Sequence, residues 1–414
     1  MTFASVIFML AAVALLGGAL AFREDADPSG QRAGGASAPS ASGDRSTVHV
    51  GSAGCDDGRS VARARRAATP WCSLDRALEA APGGSTILVA GGRYDAAKLS
   101  GEAGEERDLV LRPADPAQRP VLEGLQLVGA GGVRVSGFLF TGTLAIDGSS
   151  GITVEDNGFA STNLYVRRSQ RIRVIGNRFR DVRDGERALL VQGAVSEDQP
   201  TTEDLLIRGN RFDNIAHDAI AVYNGYERVT VEGNRIEGVW RPPGTERHSD
   251  AMQFMGGSRL TIRDNVLHDN NQGILVKDGP ASNGLVVTGN LITDGGAGLQ
   301  IWNAPGARVE RNSIWGTRFG TIFRNAPEPP DRTSVLLREN VLDQLIVDAG
   351  TGASVRPESS GNVFGRGRTY GESAHRGRPN FMDQGSGDFR ISTSDPGAGL
   401  PATDRPPGAQ RGLG

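Results

Sequence analysis

The sequence predicts an all-β solenoid, a parallel β-helix of three-strand coils with a short N-terminal capping helix. Three observations carry that reading. A segment centred on asparagine recurs along most of the chain. Apolar and polar residues alternate around each copy, which is the period of a strand. Glycine accounts for 58 of the 414 residues and aromatics for only 6 %, a composition that disfavours helices and a membrane bundle. The glycines follow no triplet period, so collagen is excluded.

In chain order, Phe3 to Phe22 form an apolar run followed by Arg23, Glu24 and Asp25. A run of about 20 apolar residues can span a bilayer. With Ala19-Leu20-Ala21 as a small-residue cleavage site it also fits an export signal. Residues 1–22 are therefore expected to be a signal peptide or a membrane anchor. Either places the body outside the cytoplasm: secreted, periplasmic or anchored facing outward. Residues 23–46, rich in Ser, Gly, Ala and Pro, read as a flexible linker. Cys55 and Cys72 are the only cysteines. In an oxidising compartment they are expected to bridge, stabilising the fold by about 3 kcal/mol. Ser73 is placed to cap a helix from Leu74 to Ala81, stopped by Pro82-Gly83-Gly84.

The coils follow. Ile172-Arg-Val-Ile-Gly-Asn177-Arg-Phe179 returns as Leu206-Ile-Arg-Gly-Asn210-Arg-Phe212 and Val229-Thr-Val-Glu-Gly-Asn234-Arg-Ile236. Further copies centre on Asn265, Asn290, Asn312 and Asn340, and weaker ones on Asn157 and Asn362, at spacings of 20 to 33 residues. Each asparagine follows a bend and is expected to stack in an internal ladder, since asparagine tolerates a left-handed backbone and bonds its neighbours. A third strand closes each coil: Ala219-Ile-Ala-Val222, Ala251-Met-Gln-Phe254, Gly273-Ile-Leu-Val276 and Gly298-Leu-Gln-Ile301. Three short strands per coil without intervening helices describe a β-helix. The domain is expected to span 47–394, with a disordered tail over 395–414.

Pro70-Trp-Cys-Ser-Leu74 and Ile87-Leu-Val-Ala-Gly-Gly-Arg-Tyr94 resemble the opening of right-handed parallel β-helix proteins of the pectate-lyase-like superfamily. Pro379-Asn-Phe381 and Gly387-Asp-Phe-Arg-Ile391 resemble their closing segment. The resemblance implies that fold, and a superfamily containing polysaccharide lyases, glycoside hydrolases, epimerases and unreactive stalks.

With Ile220 and Val222 pointing inward, two outward rows emerge: Ala221, Gln253, Leu275, Gln300, Ile322 and Tyr223, Met255, Lys277, Trp302, Arg324. Aromatics that stack on sugar rings beside cations that hold carboxylates make Tyr223, Gln253, Gln300, Trp302 and Arg324 candidates for binding an acidic polysaccharide. Just before the same strand, His217-Asp218 and His248-Ser249-Asp250 align one coil apart, with Gln272 next. Asp218 and Asp250, about 5 Å apart by strand spacing, could share a proton, hold a cation such as calcium, or act as an acid and nucleophile. Lys277 stands out because 43 of the 45 basic residues are arginine. Lysine can give up its proton and serve as a base where arginine cannot. Arg247-His-Ser-Asp250 with Gln253, then Gln272-Gly-Ile, resembles a recurring pattern in exported bacterial β-helix proteins. More distantly it resembles the Asp-Pro-His-Asp segment of alginate C5-epimerases.

The expected function is cleavage of a uronate polysaccharide by β-elimination. Lys277 or His248 would be the base, and Arg324 or a cation at Asp218 and Asp250 would neutralise the carboxylate. C5-epimerisation, hydrolysis through Asp218 and Asp250, and non-catalytic polysaccharide binding are the alternatives. A net charge of −3 gives no footprint for nucleic acid, and a monomer is expected. Lys277 lies five residues beyond Gln272, the position aligned with Asp250, on the order of 15 Å along a strand less the bend and the reach of lysine; if the two groups serve different sugar subsites, only one of them does the chemistry.

Overall fold

The computed structural model describes residues 46–391 except 103–104, 184–185, 195–200, 246–247, 278–281, 325–332, 349–354, 356, 378–380 and 384–387. The expected signal or anchor, the linker up to residue 45, Arg247 and the C-terminal tail lie outside the described residues.

Parallel strands stack coil on coil in three columns. In the first, Thr86–Val89 pairs with Glu106–Pro113, then Gly131–Ser136 and Thr153–Glu155. In the second, Leu139–Phe140, Gly158–Ala160, Arg178–Val182, Arg211–Ile215 and Arg235–Val239 follow one another. In the third, Leu144–Asp147, Leu164–Arg167 and Leu189–Gln192 lead into Ile220–Glu232. From there on, the third strand of one coil runs through a bend into the first strand of the next, and the pairing shifts register between Tyr223 and Tyr226.

The asparagine ladder is continuous from Asn157 through Asn177, Asn210, Asn234, Asn265, Asn290, Asn312 and Asn340 to Asn362. Asn265 shows the pattern. Its Oδ1 accepts from both the backbone N–H and the Nδ2 of Asn234, and its own Nδ2 donates to Val231 O and Asn290 Oδ1. One side chain thus ties three coils at a buried bend where water cannot serve the backbone. The left-handed residue is not the asparagine, as expected, but its predecessor. Asp156, Gly176, Gly209, Gly233, Asp264, Gly289, Arg311, Glu339 and Gly361 have φ between 54° and 66°. This explains the preference for Gly or Asp there, since other side chains pay in this region.

Beside the ladder runs an apolar column. Phe140, Phe159, Phe179 and Phe212 stack with ring centroids 4.5–5.0 Å apart. Ile236, Leu267, Ile292 and Ile314 continue it in register. At the N-terminal end, helix Leu74–Ala80 buries Leu74, Ala77 and Leu78, and Ser73 Oγ accepts from Arg76 N–H. Arg107 donates to Leu78 O and Ala81 O, fastening the helix C-terminus to a coil. Cys55 and Cys72 are bonded to one another. At the other end, Phe381–Asp383 pairs antiparallel with Asp388–Ile391, and Phe381 meets Trp315 edge-on at 5.5 Å.

Candidate active site

The third strands present both expected rows. Ala221 pairs with Gln253, Gln253 with Leu275, Leu275 with Gln300, and Gln300 with Ile322. Tyr223 pairs with Met255, Met255 with Lys277, and Trp302 with Arg324. The first row is not the solvent-facing row expected, because Ala221, Gln253, Leu275, Gln300 and Ile322 are all buried. Lys277 Nζ and the Arg324 guanidinium approach the Trp302 ring at 5.8 and 5.2 Å, so this indole holds two cations in place.

At the corner before these strands the register stacks Arg187, Asp218, Asp250 and Gln272. Asp218 is fully buried and fully engaged. Its Oδ1 accepts from Asp250 N–H at 3.0 Å, and its Oδ2 from Arg187 Nε at 2.9 Å. The Tyr223 hydroxyl donates to Asp218 Oδ2 (2.9 Å) or Gln253 Oε1 (2.5 Å), having one proton for the two. His217 Nδ1 accepts from Asp218 N–H at 2.8 Å. Burial works to raise the Asp218 pKa but is outweighed by His217, Arg187 and the Asp250 N–H, which hold it below the usual carboxylate value. Burial, and then the Asp218 charge, raise the Tyr223 hydroxyl and keep it protonated.

Asp250 lies in the opposite environment. It too is fully buried, and its Oδ1 has no hydrogen-bond partner. Burial, and next to it the Asp218 charge, raise its pKa against the pull of His248. His248 Nδ1 sits 2.7 Å from Asp250 Oδ2, and His248 Nε2 sits 3.2 Å from Lys277 Nζ. The hydrogen bond to Asp250 raises His248 above the ordinary histidine value. Nδ1–H facing the carboxylate leaves Nε2 as an acceptor.

One expectation is corrected here. Lys277 and Asp250 do not belong to separate groups. The imidazole of His248 and the long lysine side chain together span the five-residue offset, giving one chain Asp250–His248–Lys277. Both aspartates are fully buried. The donor set also does not fit a calcium ion. Both Asp218 oxygens are taken, one by a guanidinium that would repel a cation, and no group of three His, Cys, Asp or Glu side chains converges among the described residues.

In front of His248 opens a pocket of about 450 Å³. It is lined by Arg241, Arg318, Arg324, Gln272, Gln300 and the exposed ring of Phe319. Among the described residues no carboxylate lines it. Gln300 Nε2 donates to Gln272 Oε1 on its floor at 2.5 Å. Arg187, Arg241, Arg318 and Phe319 belong to the site without being among the residues expected from the sequence. The register could have found Arg187, because Ala188-Leu-Leu-Val191 aligns with Ala219-Ile-Ala-Val222. The others sit where the second strand crosses to the third, and coil length varies there.

Residues 144–314 match the model of a family described as the right handed beta helix region. Comparison with curated proteins finds no match. Among solved structures the chain is similar to an alginate lyase from Paenibacillus sp. str. FPU-7, with 16 % identity over 62 % of this chain and 98 % of that one and a TM-score of 0.47. It is similar to pectate lyase Pel9A (12 % identity, 85 % and 91 % covered, TM-score 0.39). It is also similar to PfbA, a surface adhesin of Streptococcus pneumoniae (12 %, 83 % and 97 %, 0.43). In its stacked coils and its ladder the chain is a parallel β-helix, and residues 144–314 carry the right-handed β-helix family match.

Proposed function

We propose that this protein is an exported lyase that cleaves a uronate-containing polysaccharide by β-elimination. One observation carries the reading: a pocket with three arginines, and no carboxylate among its described lining residues, opens onto a histidine whose other nitrogen is held by a buried aspartate. The arginines suit a uronate carboxylate and lower the cost of charge developing on it as the neighbouring proton leaves. His248 Nε2 takes the C5 proton. The C–H electron pair forms the C4–C5 double bond, the C4–O4 bond breaks, and the ammonium of Lys277 protonates the departing O4. Asp250 orients His248 and stabilises its imidazolium. Arg187, Asp218, Tyr223 and Gln253 form the buried support behind them, and Trp302 positions Lys277 and Arg324. The burial of both aspartates weighs against hydrolysis through that pair. Purified protein is incubated with a panel of uronate polymers and followed by the ultraviolet absorbance of an unsaturated product. Absorbance that appears with wild type and falls a hundredfold or so in His248→Ala supports the reading. New reducing ends without absorbance, or full activity in His248→Ala, would overturn it.

A further inference from the structure

Next to this pocket lies a larger hollow of about 960 Å³ that shares Arg241, Asn271, Gly296 and Arg318 with it. Its charge is different. Three arginines are matched there by Asp213, Glu237 and Asp269. Three of these six charges are paired within the protein, since Arg211 and Arg178 bind Asp213 and Arg235 binds Glu237. The hollow therefore offers no surplus positive charge to a carboxylate. It offers instead the face of Trp240, whose Nε1 is pinned to Asn214 Oδ1 at 2.9 Å while 41 % of the residue stays exposed. Trp240 and Phe319 are the two exposed large hydrophobic residues among the described ones, and they fall on the two sides of Arg241 and Arg318. The floor between them is bare backbone. A Cβ on Gly295 or Gly296 would come within about 2 Å of the carbonyls of Asn270 and Asn271, so side chains are excluded there.

A ring-stacking face beside carboxylates that accept from hydroxyls, without net positive charge, fits an uncharged sugar ring. Resting on the lyase reading of the neighbouring pocket, we infer that the Trp240 hollow binds a neutral sugar of the same chain, and that the substrate is a mixed polysaccharide in which uronates are joined to neutral residues. The uronate lies against Arg324 and His248, the chain crosses Arg241 and Arg318, and the neutral ring stacks on Trp240.

Calorimetric titration of wild type, Trp240→Ala and Trp240→Phe tests this, with polygalacturonate as a uronate homopolymer and deacylated gellan, xanthan and hyaluronan as mixed chains. Trp240→Ala is expected to weaken binding of at least one mixed chain by about tenfold, and polygalacturonate by less than about twofold. Trp240→Phe should retain most of the affinity. Equal losses on polygalacturonate and the mixed chains, or no such loss on any mixed chain, overturn the inference. The readout is binding, so it stands apart from the lyase test. Failure of the lyase reading shows as no unsaturated product from any polymer, whatever Trp240 does.

Discussion

At the residue scale the site turns on two aspartates one coil apart that burial treats in opposite ways. Asp218 has Arg187, Tyr223 and a backbone N–H; Asp250 has His248 and an unpaired oxygen. The first is held down and the second pushed up. Asp250→Asn removes the charge that raises His248, so the imidazole pKa falls. Since the proposed base works deprotonated, the acid limb of kcat/KM should move to lower pH. A limb that stays put would remove Asp250 from the role of positioning His248. Asp218→Asn leaves Arg187 facing a neutral amide in a mostly buried setting and should cost roughly 3 kcal/mol in denaturant melts at pH 7. The folded-state pKa of Asp218 is depressed, so its contribution is full above the unfolded carboxylate value and is lost as pH falls through the folded one. The gap between wild type and Asp218→Asn should therefore narrow in acid. The identities His248, Asp250 and Lys277 were legible from their rarity and alignment. Their contact was not, because strand arithmetic counts Cα positions, and two long side chains closed the distance.

At the scale of elements, the repeat legible in the sequence was the ladder, because each rung needs the same side chain. No other residue offers one acceptor and two donors at this reach while fitting a buried bend. The left-handed residue before each rung was harder to read. Gly, Asp, Arg and Glu all occupy it, and only the first two advertise the conformation. The segments from second to third strand were not legible at all. They vary in length, and with them went Trp240, Arg241, Arg318 and Phe319. Asn265→Ala tests the ladder. It strands two donors of Asn234 and takes the side-chain donor from the carbonyl of Val231, while Asn290 Oδ1 keeps the backbone N–H of residue 265. At about 1 kcal/mol or more for each group left unpaired, the loss should reach roughly 3 kcal/mol in urea melts. A loss under about 1 kcal/mol would mean that the coils are held by apolar stacking and that the ladder only sets register.

At the scale of the whole molecule, charge separates what the chain is from what its face does. The net charge is −3, so the protein as a whole should repel a polyanion. Many of its described arginines are paired where they stand, as in Arg167 and Arg168 on Asp147, or Arg228 on Glu203 and Asp204. Around His248, by contrast, the described lining brings three arginines together with no carboxylate among them. Attraction of an acidic polymer therefore depends on a few local charges at short range. At low salt the negative remainder of the molecule opposes approach over long distances, while at physiological salt the Debye length falls to about 8 Å and that opposition fades. The pocket charges act at contact and are screened less. Raising salt from about 0.01 M to 0.15 M should first leave KM for a uronate polymer flat or lower it, and higher salt should then raise it as the contact pairs weaken. Replacing Arg324 with Gln should raise KM at every salt concentration and flatten the rising part. Steady-state kinetics on polymer across a salt series reads both. A KM that climbs steeply from the lowest salt in wild type would mean that a broader basic surface, rather than this pocket, gathers the substrate.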